Sequence, residues 1–250
     1  MLFKKDQILT LQSKLKLLYL PAVKRMKKKL LFFALASITL TFYTQVNEVG
    51  LTFGGTKFVG DIGNETYFLP NKTAGAIFYK YNYNPRIALK ATYSFLPIAG
   101  NDLDANNTFR QQRKISFTNT IHEFAAGIEF NFYEFDLSSE GKTATPYLLL
   151  ELAAFSYTNV ASYTSAGEIN YGKETSYAIP FGIGYKSKLY GTLAIAFEAK
   201  FRYTFKDDLD FTSIKTPNAN LEGTGNDWYF FSGISLIYTF GRPSCYTKGL

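Results

Sequence analysis

The sequence contains very few of the residues on which most catalytic and metal sites depend. Its 250 residues include one cysteine, Cys245, and one histidine, His122. A single cysteine excludes an internal disulfide framework and the multi-cysteine pattern of structural zinc sites. A single histidine leaves no cluster of imidazole ligands for a catalytic metal. The sequence therefore has no metal-ligand spacing, and we expect no cofactor.

Long apolar runs are also missing after the N-terminal region, which argues against a transmembrane helix. The mean hydropathy of −0.08 is close to neutral. A membrane β-barrel is compatible with this value, because its strands carry lipid-facing apolar residues only at alternate positions. Aromatic residues are abundant, with 24 Phe and 19 Tyr but a single Trp. Phe and Tyr are enriched in strands, so the composition favours a β protein.

The formal net charge of +7 belongs to the N-terminal region. Residues 1–44 hold nine of the 27 Lys and Arg and one of the 20 Asp and Glu, which leaves 18 − 19 = −1 for the remainder. This near-neutral remainder gives no reason to expect a nucleic-acid partner.

The N-terminal region has the pattern of a secretory signal peptide. Met26 and the three lysines that follow it precede the apolar run LLFFALASITLTFY. Residues 1–45 are therefore predicted to be a signal peptide with an upstream extension. Two alternatives stay open, a true start at Met26 and one unusually long basic leader. We expect residues 46–240 to form the folded domain and residues 241–250 a short tail.

The stretch from Asn226 to Phe240 shows the clearest strand pattern near the end of the chain. One face of the alternation is apolar and is aromatic at both ends, and it consists of Trp228, Phe230, Ile234, Leu236, Tyr238 and Phe240. Apolar side chains between two aromatic girdles are typical of strands in outer-membrane barrels. We interpret this stretch as the strand that closes a barrel. The alternative is a strand of a soluble β-sandwich.

Seven further stretches alternate in the same way, so the sequence predicts an all-β, eight-stranded antiparallel transmembrane barrel of the outer membrane. Connections alternate between long and shorter, which places both termini on the periplasmic side. The alternation changes phase in the fourth strand, which predicts a β-bulge near Asn119–His122. Residues Asn159–Glu174 are predicted to form a loop, and Pro180 predicts a bulge or a missing ladder bond.

Charged residues on the opposite faces of the strands are predicted to point into the lumen. They are Glu48, Lys90, Glu123, Glu129, Glu151, Lys186, Glu198, Lys200 and Arg202. An eight-stranded barrel is just wide enough to be filled by its side chains. We therefore expect these charges to pair as a plug; a proton or ion path is the less favoured alternative.

Three other groups of residues offer weaker hypotheses. His122 beside Glu123, with Ser116 and Thr118 on the same strand, suggests an acyltransferase only if a nucleophile lies next to the base. Asp207, Asp208 and Asp210 could bind a divalent cation through carboxylate oxygens, or form a solvated acidic turn. The basic residues Arg110, Arg113 and Lys114 could contact lipopolysaccharide phosphates, or form a charged rim.

An ordered series of short phrases resembles a known family. The phrases are GDIG at 60–63, PNK at 70–72, GND at 100–102, RQQRKISFTNTIHEF at 110–124, EFNFYEFDL at 129–137, TPYL at 145–148, AIPFGIGYKSK at 178–188, RYTFKDDLD at 202–210 and NDWYFFSGISLIYTFGRPSCY at 226–246. Together they resemble outer-membrane barrel proteins of Bacteroidota long described as a domain of unknown function. That family includes the PorG component of the type IX secretion system.

The resemblance implies an eight-stranded barrel without catalytic residues. For PorG-like members it also implies attachment to a periplasmic ring of secretion and gliding proteins. The leading hypothesis is therefore an anchor or accessory of a type IX-like secretion complex. Cys245, in the predicted periplasmic tail, is a candidate contact with the ring. The alternative is a stand-alone structural barrel that interacts with outer-membrane lipid or lipopolysaccharide.

Overall fold

The computed structural model describes residues 47–64, 66–135, 143–163, 169–211 and 225–241. The predicted signal peptide, the tail and Cys245 lie outside these residues. Eight strands are present, namely β1 (Asn47–Val59), β2 (Lys72–Asn82), β3 (Ile87–Asn101), β4 (Ser116–Asn131), β5 (Ala144–Tyr163), β6 (Ile169–Tyr190), β7 (Leu193–Thr204) and β8 (Trp228–Phe240). A short 3-10 turn (Asp102–Asp104) and helix α1 (Thr108–Arg113) lie between β3 and β4. Among the described residues no helix is long and apolar enough to cross a membrane.

The eight strands form a closed antiparallel barrel in which each strand pairs with its neighbours in sequence and β8 pairs with β1. Following the paired residues once around the ring from Asn47 leads back to β1 at Lys57. The strands are thus staggered by 57 − 47 = 10 residues per circuit. Such a stagger requires tilted strands, and tilt fixes the barrel radius together with the strand number. The predicted fold class is confirmed.

The two ends of the barrel differ in their connections. At one end the turns between β2 and β3 and between β6 and β7 are tight, at residues 83–86 and 191–192. At the other end the long segments 60–71, 102–115 and 205–227 join the strands. We call these the short-turn end and the long-loop end. The order of strands therefore puts the start of β1 and the end of β8 at the short-turn end.

The barrel wall has an apolar outer face, because alternate residues of each strand point away from the lumen. Large apolar side chains are exposed on every strand. They include Leu51 and Phe53 on β1, Ile77 on β2, Leu89 on β3, Phe124 and Ile128 on β4, Leu150 and Leu152 on β5, Ile183 on β6, Phe197 on β7, and Ile234 and Leu236 on β8. We call this ring of side chains the apolar belt. It covers the entire circumference of the barrel.

The structure corrects the predicted bulge in β4. The β3–β4 register runs without a shift from Ile87↔Phe130 to Asn101↔Ser116, and the burial of β4 alternates throughout. Phe117 and Ile121 therefore point inward in the same alternation as Glu123, without a change of phase. The prediction was wrong because the lumen near the long-loop end is lined by apolar residues. In that region hydrophobicity does not distinguish the two faces of a strand.

The predicted loop at Asn159–Glu174 is also corrected. β5 continues to Tyr163 and β6 begins at Ile169, and the two strands pair up to Tyr163↔Ile169 with one irregularity between Val160 and Ser162. Residues 159–163 and 169–174 therefore belong to paired strands, and residues 164–168 lie outside the described residues. Pro180 behaves as predicted. The β5–β6 ladder is interrupted between Leu150↔Phe181 and Ala153↔Ala178, where proline supplies no N–H.

Candidate functional site

Among the described residues, ten charged side chains lie in the lumen, and all of them are buried. Nine are the predicted residues Glu48, Lys90, Glu123, Glu129, Glu151, Lys186, Glu198, Lys200 and Arg202. The tenth is Lys80, which was missing from the predicted set. Its position was readable from the sequence, because it lies two residues before the inward residue Asn82 in the alternation of β2. These ten residues are called the lumen network below.

The first group of the lumen network lies nearest the short-turn end. Lys80 Nζ is 2.9 Å from Glu48 Oε2 and 3.1 Å from Glu129 Oε1. Lys186 Nζ reaches the same Glu129 oxygen at 2.6 Å. Glu129 accepts hydrogen bonds from both lysines, whereas Glu48 accepts one from Asn82 Nδ2 at 2.8 Å and forms an ion pair with Lys80. Two lysines thus balance two glutamates.

The second group occupies the middle of the lumen. Lys90 Nζ is 2.5 Å from Glu198 Oε2, and Lys200 Nζ is 3.0 Å from Glu198 Oε1 and 3.2 Å from Glu151 Oε2. The Tyr147 hydroxyl donates to Glu198 at 2.9 Å. Gly184 makes room for this tyrosine, because a Cβ there would lie 2.2 Å from Tyr147 Cζ. Again two lysines balance two glutamates.

The third group lies next to the apolar part of the lumen. Arg202 Nε is 3.0 Å from Glu123 Oε2, and the Tyr229 hydroxyl donates to the same oxygen at 2.7 Å. The guanidinium also lies over the rings of Tyr229 and Phe231, 5.4 Å from each centroid. Such cation–π contacts stabilise a cation that has lost its hydration.

Each group of the lumen network is electrically neutral, and so is the whole, with five cations and five carboxylates (5 − 5 = 0). Buried charges are costly unless they are paired and hydrogen-bonded. Local neutrality satisfies the need for pairing at every level, but within the described residues Glu48 Oε2, Glu129 Oε2 and Arg202 Nη2 are buried without a hydrogen-bond partner. The arrangement therefore fills the lumen with mutually compensated charges and leaves no excess charge of one sign to select an ion.

An apolar core fills the lumen from the third group to the long-loop end. It includes Phe58, Leu96, Ile98, Phe117, Ile121, Phe155, Tyr157, Leu209, Tyr229 and Phe231. Leu209 comes from the segment after β7, which therefore folds into the mouth of the barrel. The lumen thus consists of a polar half and an apolar half, and the apolar half lies under the long loops.

A buried ion pair fixes the loops over the mouth. Asp102 is fully buried and accepts from Arg113 Nε at 2.6 Å and from the backbone N–H groups of Gly63 and Ile115 at 3.0 and 3.2 Å. Burial alone would raise the pKa of Asp102, but these hydrogen bonds outweigh it and hold the pKa below its usual range. Arg113 and Arg110 also donate to carbonyls of the 60–63 segment.

This arrangement corrects the idea that Arg110, Arg113 and Lys114 form one basic surface. Arg110 and Arg113 join the β1–β2 and β3–β4 connections to each other. Lys114 is exposed and, with φ of 56°, ends helix α1 in the left-handed conformation. Of the three, Lys114 alone presents an exposed charge.

The wall is split between β4 and β5 at the long-loop end. Their pairing begins at His122↔Ser156 and is absent between Ser116–Ile121 and the outer part of β5. The Asn119 side chain bridges the split, because its Nδ2 donates to the carbonyls of Thr158 and Leu209, both at 2.8 Å. Its Oδ1 accepts from Thr158 N–H at 3.2 Å. A cleft of about 470 Å³ opens here, lined in part by Tyr171 and Phe211.

The acidic residues after β7 have separate environments and do not form a common cation site. Asp208 accepts from Tyr157 and Asn159, both at 2.6 Å, whereas Asp210 is buried. Within the described part of the chain no group of three or more His, Cys, Asp or Glu could hold a metal. Asp227 is buried beside Asp210, and burial together with the Asp210 charge raises the pKa of Asp227 to about 9.

His122 lies on the outer face of β4, where its Nδ1 is 2.9 Å from the Tyr93 hydroxyl. Glu123 points the other way and belongs to the lumen network. Ser116 and Thr118 face outward, six and four positions before His122, and no described hydrogen bond joins either of them to it. The arrangement supplies no activated nucleophile.

The closing strand β8 presents its predicted face outward, with one residue covered. Ile234, Leu236 and Tyr238 are exposed, and Trp228 and Phe240 are half-buried. Phe230 is buried because Phe68 from the β1–β2 connection packs on it, with ring centroids 5.7 Å apart. A strand pattern does not show which outward residues a loop will cover.

Asn119, Lys57 and the Asp102–Arg113 pair are the structural features that sequence reasoning missed. Asn119 lacks a sequence signal, because an asparagine in a strand does not indicate which backbone groups it will meet. Arg113 and Asp102 lie 11 positions apart in a polar segment, and only the folded connection brings them together.

The barrel is similar to several solved structures. Ail of Yersinia pestis, in complex with the heparin analogue sucrose octasulfate, is 13% identical with a TM-score of 0.43 over 79% of this chain and 99% of that chain. OprG of Pseudomonas aeruginosa is 7% identical with a TM-score of 0.44 over 80% and 97%. Neisserial surface protein A is 12% identical with a TM-score of 0.40 over 78% and 96%.

No curated protein is significantly similar to the chain in sequence. One family model matches residues 26–249, nearly the full length, and it is described as a domain of unknown function, DUF6089. The chain belongs to the DUF6089 family.

Proposed function

We propose that this protein is a non-enzymatic β-barrel of the outer membrane with a closed lumen, and that it anchors a protein complex at the periplasmic side. The observation that carries the proposal is the inverted distribution of polarity. Ten charged side chains are buried inside the barrel, and large apolar side chains are exposed around its outside. This distribution is unfavourable in water but is the one expected for a barrel surrounded by lipid.

Two properties of the lumen support an anchoring role over transport. The lumen network is neutral at each level, and the apolar core closes the barrel above it. An aqueous path would need to break buried ion pairs and then cross packed aromatic side chains. A barrel of this kind acts through its surfaces, its loops and its tail.

The type IX-like secretion role rests on the resemblance of the phrases between Gly60 and Tyr246 to PorG-like proteins. In this proposal the short-turn end faces the periplasm, and so do both termini. The tail after Phe240, with Cys245, would then lie on the side of a periplasmic ring. The proposed partners are thus ring proteins on that side and outer-membrane lipid around the wall.

Affinity purification from mildly solubilised outer membranes, followed by mass spectrometry, tests the anchoring role. We expect periplasmic secretion proteins to co-purify with the full chain. Crosslinks through the tail should decrease in Cys245→Ser while the barrel inserts normally. Thiol labelling by a membrane-impermeant reagent should require permeabilisation of the outer membrane. Recovery of the barrel alone under conditions that preserve other outer-membrane complexes would contradict the anchoring role.

A stand-alone barrel that interacts with lipid or lipopolysaccharide is the second candidate. A polar cavity at the long-loop end, with the buried lysine Lys57 in its wall, favours it. The two candidates predict different results in the same purification, namely protein partners for the anchor and tightly retained lipid for the stand-alone barrel.

A further inference from the structure

Lys57 on β1 is a buried lysine outside the lumen. It follows the inward residue Thr56 and pairs with the outward residue Phe230, so it points away from the lumen. It is nevertheless only 5% exposed, because the connection between β1 and β2 covers it. Within the described residues Lys57 donates no hydrogen bond to another side chain or to the backbone and has no carboxylate within 4 Å. Asp104, in the wall of the same cavity, acts on the charge of Lys57 from beyond ion-pair distance. The buried ammonium therefore lacks a direct ionic contact, which an anionic ligand would supply.

The side chain of Lys57 lines a cavity of about 350 Å³ between the β1–β2 connection and the end of β3. Asn64, Thr66, Asn71, Asn101 and Asp104 contribute the other polar side chains of its wall. The volume is at the lower end of the range for small-ligand pockets. The cavity therefore accommodates a polar headgroup in contact with Lys57.

Two of the cavity asparagines, Asn64 and Asn101, have hydrogen-bond donors to spare, whereas Asn71 Nδ2 donates to the Ala99 carbonyl at 2.9 Å. Asn64 Oδ1 accepts from the Thr66 N–H at 2.5 Å, and Asn101 Oδ1 accepts from the Leu103 N–H at 3.1 Å. In the described part of the chain neither amide NH₂ group donates a hydrogen bond. Their acceptors are thus occupied and their donors are available. Together with the ammonium of Lys57, they offer three donor groups from three separate segments.

Donors from separate segments suit an anion with oxygens in several directions, and phosphate is such an anion. Asp104 is the one carboxylate among the described residues that line the cavity. Its negative charge weakens the attraction of the cavity for any phosphate group, so removing this charge should strengthen binding.

The chain beside the cavity is apolar and exposed. Tyr67, Phe68 and Leu69 are 53%, 68% and 68% exposed. Phe68 lies against the outer wall, with its ring centroid 5.6 Å from that of Phe201. The cavity and an apolar surface are therefore contiguous at the long-loop end, as a lipid with a phosphorylated headgroup requires.

We propose that Lys57 and the amide groups of Asn64 and Asn101 bind a phosphate ester in this cavity. The contiguous apolar surface makes the headgroup of an outer-leaflet lipid its source. This source rests on the proposed outer-membrane location, with the long-loop end facing outward.

The test is native mass spectrometry of the purified full chain in a phosphate-free, uncharged detergent. The probes are diphosphorylated lipid A, the same lipid after enzymatic removal of both phosphates, and inorganic phosphate as a competitor. Lys57→Gln should reduce retention of the phosphorylated lipid by about tenfold, because it removes hydrogen bonds to a charged group. Asp104→Asn should increase retention.

The matched control is Lys114→Gln, which removes an exposed lysine from the same end of the barrel and should change retention less than about twofold. Circular dichroism of each variant verifies the folded barrel. If an excess of inorganic phosphate fails to displace the phosphorylated lipid, the lipid is the source of the bound phosphate. If inorganic phosphate displaces the lipid, free phosphate is the source of the same chemistry.

The phosphate site would be overturned if Lys57→Gln and Lys114→Gln lost the phosphorylated lipid to the same extent. It would also be overturned if the unmodified protein retained the dephosphorylated lipid as well as the phosphorylated one. These results are obtained in detergent. If the protein fractionates with the outer membrane but does not bind the phosphorylated lipid through Lys57, the phosphate site is wrong and the proposed function stands.

Discussion

Arg202 on β7 and Glu123 on β4 form an ion pair across the lumen, with Nε 3.0 Å from Oε2 and both side chains fully buried. The two strands are not neighbours in the ring, so this pair connects opposite parts of the wall. It also marks the boundary between the polar and the apolar half of the lumen.

Replacing Arg202 with Met should destabilise the barrel strongly, because Glu123 would remain charged and buried without its partner. A loss of about 3–5 kcal/mol in the free energy of unfolding is expected for one broken buried pair. The double variant Arg202→Met with Glu123→Leu should recover most of this loss. Urea unfolding of the reconstituted protein measures the free energy of unfolding of the single and the double variant. If the losses from the two substitutions simply add in the double variant, Arg202 and Glu123 do not stabilise each other.

An arginine at Phe197 should test the apolar belt. Phe197 is exposed on the outer face of β7, and a lipid-facing arginine near the membrane midplane costs about 2–4 kcal/mol. Thr118→Arg is the control, since Thr118 lies outward on β4 beyond the apolar belt and should cost about 0–1 kcal/mol. Equal costs at the two positions, measured by unfolding in lipid vesicles, would argue against a lipid-facing belt.

The sequence was sufficient for the strand count, the order of the strands and nine members of the lumen network, because period-two alternation is a local signal. It failed at the bulge predicted in β4, where the inward residues Phe117 and Ile121 are apolar and the outward residue Thr118 is polar, because only the packing inside the lumen decides this orientation. It could not place Lys57 either. The burial of this lysine depends on a connection that folds back over the outer wall, and no local pattern encodes such a contact.

The stability of the barrel mouth should depend on pH through Asp227. Its pKa is raised to about 9 by burial and by the nearby Asp210, with smaller contributions from Asp207 and Asp61. The folded state therefore holds a proton that the unfolded state loses near pH 4, so stability should fall as pH rises from about 4 to about 9. The slope from this group approaches about 1.4 kcal/mol per pH unit.

Asp227→Asn should remove this part of the pH dependence. Compared with the unmodified protein, the variant should therefore have a more favourable free energy of unfolding at pH 8 than it has in the same comparison at pH 5. Hydrogen exchange of the amides near Leu209, whose N–H donates to Asp227 at 2.9 Å, reports on the same region. A pH profile unchanged by the substitution would show that Asp227 does not retain its proton in the folded protein.

The purified protein should form no large and steady conductance in planar bilayers, because the lumen network and the apolar core fill the barrel. The control is the Arg202→Met variant, in which partial opening of the boundary between the two halves should produce brief, small currents. Reproducible openings of about a nanosiemens in the unmodified protein would contradict a filled lumen.

Gel mobility in fractionated membranes tests the central claim most directly. Cells that produce the full chain are separated into soluble periplasm, inner membrane and outer membrane, and each fraction is run with and without boiling. We predict that the protein is found in the outer-membrane fraction and that boiling shifts its mobility, because a closed barrel resists detergent until it is heated. Recovery in the soluble periplasm, or a mobility that boiling does not change, would contradict the account.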